Sequence, residues 1–373
     1  MNHKTQTDSI YLDFQKAFDK VNHCILINKL NVYGIQGSLL HWLESYLDSR
    51  TQKVICNGHS SNETIMKSGV PQGSNLGPLL FLVFINDLPN VVKYANISLF
   101  ADDIKIYRGI SNLDDCKILQ EDLKSIVDWS NNNDLPLNIN KCSSISFTRN
   151  HNILTFNYSI SNTTLNRVTS IKDLGILLDS QLTFENHIIQ IVSRANKLLG
   201  FVIRNSRQFT NDKSVKLLYF SLFRPILEYG SVVWNPVFQK YKILIEKVKI
   251  FFIRYAFYKF VHIKWNYRYH TKLVYFNIRT LESRRNIYDL IWLYKCLNNH
   301  IDNSKIFENI SIRVPSFNSR NIDLFSYPRS NSIYHAASPY IRVAKLFNDT
   351  CTELDIFALS LNTFKFHVSA IIT

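Results

Sequence analysis

The sequence predicts an α+β fold, with a small antiparallel sheet carrying helices on one face and a helical region after it. Three observations carry this. Within residues 1–180 the elements read strand, helix, helix, hairpin, helix, strand, not the strict alternation of a doubly wound parallel sheet. Ile97–Tyr107 places apolar residues on both sides of Ala101-Asp102-Asp103, the pattern of a tight hairpin with acids at its tip. From Phe184 onward the apolar period changes to that of helices.

The elements follow in order. Ile10–Phe14 is a short apolar strand, and a domain opening on a core strand is unusual. Gly37–Leu47 has Leu39, Leu40, Leu43 and Leu47 at helical spacing, and Thr51–Val54 reads as a strand. Ser68–Pro78 is a Gly/Pro-punctuated loop that runs into an apolar helix, Leu79–Leu88, stopped by Pro89. Leu113–Trp129 is amphipathic, with Leu119, Leu123, Ile126 and Val127 on one face and Asp114 and Asp115 as its expected caps. Strands are expected at Ser144–Phe147 and Arg167–Leu178, then helices at Glu185–Arg204, Lys213–Leu222, Tyr241–Phe260 and Leu281–Leu297. Clean periodicity fades after His300.

Composition narrows the function classes. The chain has 373 residues, 46% of them hydrophobic, enough to bury a core and to exclude wholesale disorder. The formal net charge of +14 is uneven: residues 1–150 carry 14 basic and 15 acidic side chains, residues 151–373 carry 29 and 14. A basic rear half behind a locally acidic front suits a polyanion partner plus a metal site. Six scattered cysteines form no C-x-x-C pair and no zinc pattern, as expected of a reducing compartment. Residues 1–9 hold no apolar signal core, and the longest apolar run, Pro78–Ile85, is too short to cross a bilayer. The expectation is an intracellular protein, nuclear or cytoplasmic, with no membrane partner.

Three acids stand out. Asp13 lies within Tyr11-Leu12-Asp13-Phe14, and Asp102-Asp103 lies between Leu99-Phe100 and Ile104-Lys105-Ile106. Ionised carboxylates in apolar strands cost several kcal/mol unless compensated. A divalent cation compensates both the burial and the mutual repulsion, and oxygen-only ligands completed by water and phosphate describe Mg²⁺. An isolated Asp-Asp pair more often makes a plain polar turn. The loop Ser68–Pro78 fixes its backbone with three glycines and two prolines and allows close approach of another molecule, Gln72 included. Lys141, alone, is an ordinary solvated charge.

Taken in order, these segments resemble a known family. Tyr11-Leu12-Asp13-Phe14-Gln15-Lys16-Ala17-Phe18-Asp19 resembles the first catalytic motif of reverse transcriptases, most closely those of jockey-type non-LTR retrotransposons. Gly69-Val70-Pro71-Gln72-Gly73-Ser74 through Asn86-Asp87-Leu88-Pro89 resembles their substrate-binding loop and helix, and Phe100-Ala101-Asp102-Asp103 their two-Asp motif. Leu137-Asn138-Ile139-Asn140-Lys141-Cys142 looks like the next motif, and Lys172-Asp173-Leu174-Gly175 through Asp179 is similar to the primer-grip strand pair. Looser likeness continues through Leu227-Glu228-Tyr229-Gly230 and Arg284-Arg285.

The resemblance implies a right-hand polymerase palm over 1–180 with remnant fingers and the primer grip, a helical thumb-like region over 181–260, and a C-terminal extension over 261–373 whose role it does not assign. It implies RNA-directed DNA polymerisation with an RNA template, a DNA primer and dNTP. Asp13, Asp102 and Asp103 would hold two Mg²⁺ ions. The Phe14 backbone, Phe18, Gln72 and Gly73 would contact the incoming nucleotide, Phe18 as the ring that excludes a ribose 2′-OH. Lys141 would protonate pyrophosphate, Leu174 and Gly175 would place the primer end, and the basic rear half would grip template–primer and stack on unpaired bases. Only twelve residues precede Asp13, so fingers, an upstream endonuclease and a Cys/His knuckle are not in this sequence. The expectation is an N-terminally truncated reading frame with impaired polymerase activity. The alternative is a catalytically silent remnant that still binds RNA or DNA.

Overall fold

The computed structural model describes residues 6–261, 267–302, 304–314, 323–330 and 332–372. The chain forms two compact units, Met1–Ile171 with Asp179–Leu182, and Lys172–Leu178 with Thr183–Thr373.

The first unit is built on a five-stranded sheet. Its central strand is β1 (Gln6–Leu12), flanked by the hairpin β2 (Asn96–Phe100) and β3 (Asp103–Ile110) on one side and by β4 (Ser143–Phe147) on the other. β1 runs antiparallel to both neighbours, with Ile10 opposite Ile106 and Ser144, and Leu12 opposite Ile104. A two-residue edge strand, β5 (Asn166–Arg167), pairs parallel with β4, the one departure from an antiparallel sheet. Alternation puts Ile10, Leu12, Ile104 and Ile106 on one face. There they share a core with α1 (His23–Val32), α2 (Gly37–Leu47), α3 (Leu76–Ile85) and α4 (Leu113–Asn132). Helices thus cover one face, as expected, and Tyr11, Asp13 and Lys105 belong to the other register.

Local chemistry explains the helix ends. Asn112, not Asp114 or Asp115, caps α4 by accepting from the Asp115 N–H. Asp115 instead takes Arg108 and the Ser111 N–H, and Asp114 pairs with Lys117. Asn112 wins because it alone has extended backbone at the cap position.

The expected strand Arg167–Leu178 is broken. β6 (Ser170–Asp173) turns back into β7 (Ile176–Asp179) through Leu174 and Gly175, at φ +43° and +87°. Lys172–Leu178 groups with the helical unit, whereas the sequence grouped it with residues 1–180.

The second unit begins with α5 (Glu185–Asn205), whose buried stripe runs Ile188, Ile191, Val192, Ala195, Leu199 and Val202. α6 (Asp212–Leu218) continues through a π-helical turn at Tyr219–Phe223 into Arg224–Glu228, so the expected helix Lys213–Leu222 is longer and kinked in register. These pack with α7 (Gln239–Val261) and α8 (Tyr269–Phe276) around one core. A further core joins α9 (Leu281–Leu297), α10 (Pro339–Thr350) and α11 (Leu361–Ile371). Among the described residues no helix is long and apolar enough to cross a membrane.

Candidate active site

β1 ends at Leu12, one residue short of Asp13. The chain beyond it is captured by the loop after α4. The Asn138 N–H donates to the Asp13 carbonyl at 2.7 Å and the Gln15 N–H to the Pro136 carbonyl at 2.8 Å, while Phe14 bridges Leu137. The expected strand over Ile10–Phe14 is therefore continued by a different partner. This stitch also sets Lys141 against Asp13, with Nζ 3.1 Å from Oδ2. Cys142 is buried beside the Asp13 backbone, and burial pushes its thiol up.

Leu12 opposite Ile104 continues to Asp13 opposite Asp103 if the ladder is extended by one rung. β2 and β3 close on Phe100 opposite Asp103, so Ala101 and Asp102 form the two-residue turn, with Ala101 at φ +50°. Asp13 and Asp103 are thus each one residue from the last rung, Leu12 opposite Ile104, and Asp102 lies in the hairpin turn.

Mg²⁺ is commonly held by one or two carboxylates completed by phosphate and water. Among the described residues no three acidic, His or Cys side chains close into a ready-made metal cage. Asp13 Oδ2 is buried and lacks an aligned hydrogen-bond donor, leaving a carboxylate oxygen with lone pairs to offer. The donor set suits a hard cation held by few carboxylates rather than a full protein cage.

The substrate-loop residues are near the same segment. The Val70 N–H donates to the Phe18 carbonyl, and the Gly69 N–H to that of Val21. Gly69, at φ +90°, presses so close that a Cβ would lie 2.7 Å from the Asp19 carbonyl oxygen. Gln72 Nε2 donates to Asp19 Oδ1 at 2.9 Å. Phe18 stacks on Phe81 of α3, ring centroids 4.5 Å apart. At Gly73, φ +80°, a Cβ would meet nothing within 4 Å, so the backbone is open to approach there.

Residues 1–203 match the family model described as "Reverse transcriptase (RNA-dependent DNA polymerase)". The chain belongs to the reverse transcriptase family. Its one-face-covered sheet is accordingly the palm of a right-hand polymerase. The chain is 30% identical over 247 residues to the RNA-directed DNA polymerase from mobile element jockey of Drosophila funebris, and 31% identical over 247 residues to that of Drosophila melanogaster. It is 29% identical over 239 residues to the probable RNA-directed DNA polymerase from transposon X-element of Drosophila melanogaster. These matches cover 62–63% of this chain and 26% of each relative, so the chain spans about a quarter of the length of the curated relatives it matches. Among solved structures, apo telomerase from Candida tropicalis aligns with a TM-score of 0.38 at 12% identity, over 81% of this chain and 52% of that one.

In this family member the Leu174–Gly175 turn lies in the second unit, where Tyr229 holds it. The Tyr229 hydroxyl donates to the Leu174 carbonyl at 3.0 Å, and a Cβ on Gly175 would lie 3.3 Å from the Tyr229 ring. Gly230, at φ +63°, leaves room for Ile176, whose Cδ1 would be 2.7 Å from a Cβ there. His187 of α5 accepts the Leu177 N–H at Nδ1, and burial lowers its pKa. The resemblance at Leu227-Glu228-Tyr229-Gly230 assigns these residues no task of their own. The sequence signal is a large ring directly before a glycine, Tyr229-Gly230.

Proposed function

We propose that this chain carries the nucleotidyl-transfer chemistry of an RNA-directed DNA polymerase, joining a dNTP to a primer 3′-OH on an RNA template. One observation carries the reading: Asp13 directly follows the last rung of the central strand, Leu12 opposite Ile104, one residue from the hairpin that carries Asp102 and Asp103, and its buried oxygen has only the Lys141 ammonium nearby. In this reading Asp13, Asp102 and Asp103 would hold two Mg²⁺ ions, which would supply charge neutralisation of the triphosphate and a lowered pKa for the 3′-OH.

The chain's own groups do the remaining work. The primer 3′-OH gives its proton to water and its oxygen attacks the α-phosphorus; the bond to pyrophosphate breaks, and Lys141 supplies a proton to that leaving group and regains one from solvent. Its ammonium already lies 3.1 Å from Asp13, so it is held at the reacting end of the sheet. Phe18, braced by Phe81, serves as the ring that excludes a 2′-OH. Gln72, held by Asp19, and the open backbone at Gly73 receive the nucleotide, with the Phe14 backbone against the triphosphate. Leu174 and Gly175, clasped by Tyr229, position the primer end. Most of the acceleration in such a site comes from positioning and charge stabilisation.

The second reading, a silent remnant that binds RNA or DNA, draws on the 29 basic against 14 acidic side chains of residues 151–373. Primer extension on poly(rA)/oligo(dT) with dTTP and Mg²⁺ separates the two. The polymerase reading expects incorporation that Asp13→Asn and Asp102→Asn each lower by about 100-fold or more. Tight duplex binding without any Mg²⁺-dependent incorporation would leave the remnant reading standing.

A further inference from the structure

Between Gln239 and Thr280 the chain carries ten basic side chains against one acid, Glu246, together with twelve aromatic residues. Such a mixture in one stretch of sequence is unusual for a core and typical of segments that take single-stranded nucleic acid. Glu246 does not offset the charge outward. Its carboxylate is taken by the wholly buried Lys249 at 2.6 Å, by the Tyr269 hydroxyl at 2.5 Å and by the Leu281 N–H at 3.0 Å.

The C-terminal half of α7 and the start of α8 enclose a cavity of about 280 Å³. Phe257, buried, lies in its wall with Tyr267 tilted against it at 5.8 Å. Tyr269 is pinned by Glu246 in the same wall, and Tyr258 stands at the rim, 68% exposed. Ile250, Arg254 and Lys272 also line it, and no ion pair is seen for either cation among the described residues. Lys272 Nζ sits 5.2 Å from the Phe257 ring centre, a cation already resting on the aromatic surface. The volume falls at the small end of ligand sites, about 300 Å³ and upward, which suits one planar group rather than an extended molecule.

We infer that this cavity is a nucleotide site, in which an unpaired base of a single-stranded polynucleotide stacks on Tyr258 and Tyr267 while its phosphates meet Arg254 and Lys272. The site sharpens the nucleic-acid reading above but uses none of the palm carboxylates. Its ligand is an unpaired nucleotide, not a template–primer duplex. An apolar peptide would not use the unpaired cations, and a lone phosphate would not use the rings.

The test uses the full chain and short single-stranded RNA and DNA oligonucleotides carrying 2-aminopurine. Binding of either polymer quenches the fluorophore by stacking. The double variant Tyr258→Ala/Tyr267→Ala loses the quench and about 10- to 100-fold in affinity, whereas Tyr258→Phe/Tyr267→Phe keeps both. Arg254→Gln and Lys272→Gln each reduce the slope of log affinity against log salt by about 0.7. Quench and affinity are read without Mg²⁺ or dNTP, so a failed polymerase reading and a failed pocket are told apart. Unaltered quench and affinity in the double alanine variant, with its thermal melt also unaltered, overturn the assignment. So does a chain that binds neither polymer.

Discussion

One aspartate, Asp8, lies near the start of β1 and another, Asp13, just beyond its end, and the two are treated in opposite ways. Asp8, 1% exposed, is saturated: it accepts from Gln6 Nε2 at 2.8 Å, Ser146 Oγ at 2.6 Å and the Tyr158 hydroxyl at 2.8 Å, with Arg167 at 3.9 Å. Asp13 has one cation from a largely exposed lysine, and its buried oxygen has no aligned donor. An acid surrounded by matched donors fixes structure, because every lone pair is spoken for. An acid with lone pairs to spare is available to a substrate or an ion. Residue type alone does not separate the two; the surroundings do.

The sharpest way to break this contrast is to remove each acid in turn. Asp8→Ala strands Arg167, Ser146 and Tyr158 and lowers stability by about 3–5 kcal/mol, whereas Asp13→Ala changes it by about 1 kcal/mol or less. Urea denaturation measures both, and equal losses would erase the distinction. Asp122 tests whether saturation is general. It receives the backbone N–H groups of Lys93, Tyr94 and Ala95 at 2.6–3.0 Å, so Asp122→Ala costs about 2–3 kcal/mol through stranded amides. In the helical unit the Leu174–Gly175 turn is held by a neutral hydroxyl. Tyr229→Phe removes one hydroxyl from the Leu174 carbonyl and costs about 1 kcal/mol, seen as faster amide exchange in the turn. His187 adds a pH dependence. Burial holds its folded pKa below the usual 6.5, so the unfolded state protonates first. Its contribution is complete above pH 6.5 and is lost as pH falls toward the folded value. His187→Gln should flatten stability over that acid range, and a slope identical to wild type would show that the ring does not titrate with unfolding.

Much of this arrangement was legible in the residues. Leu119, Leu123 and Ile126 announce α4 by period, and Leu281–Leu297 was read with the observed ends. Asp102–Asp103 was legible as a hairpin tip because apolar runs flank it symmetrically. The rest depended on distance along the chain. Nothing near Asp8 marks it as saturated, since Ser146, Tyr158 and Arg167 lie far downstream. The capture of Asp13 and Gln15 by Pro136 and Asn138 was hidden for the same reason, and so was the hold of Tyr229 on Leu174. The break at Leu174–Gly175 needed a positive φ at a leucine, which no propensity favours. α10 was obscured by polar residues, yet Ile341, Ala344 and Phe347 form its buried stripe.

The central place of β1 has a kinetic consequence. Both of its ladders are with later strands, β3 and β4. At ~5–20 residues per second on the ribosome, Ile104 follows Leu12 by about 5–20 s. During that interval a bare strand with Ile10 and Leu12 on one side has nothing to zip onto. The emerging chain therefore passes through a window in which chaperone occupancy, rather than thermodynamic stability, decides how much of it escapes aggregation.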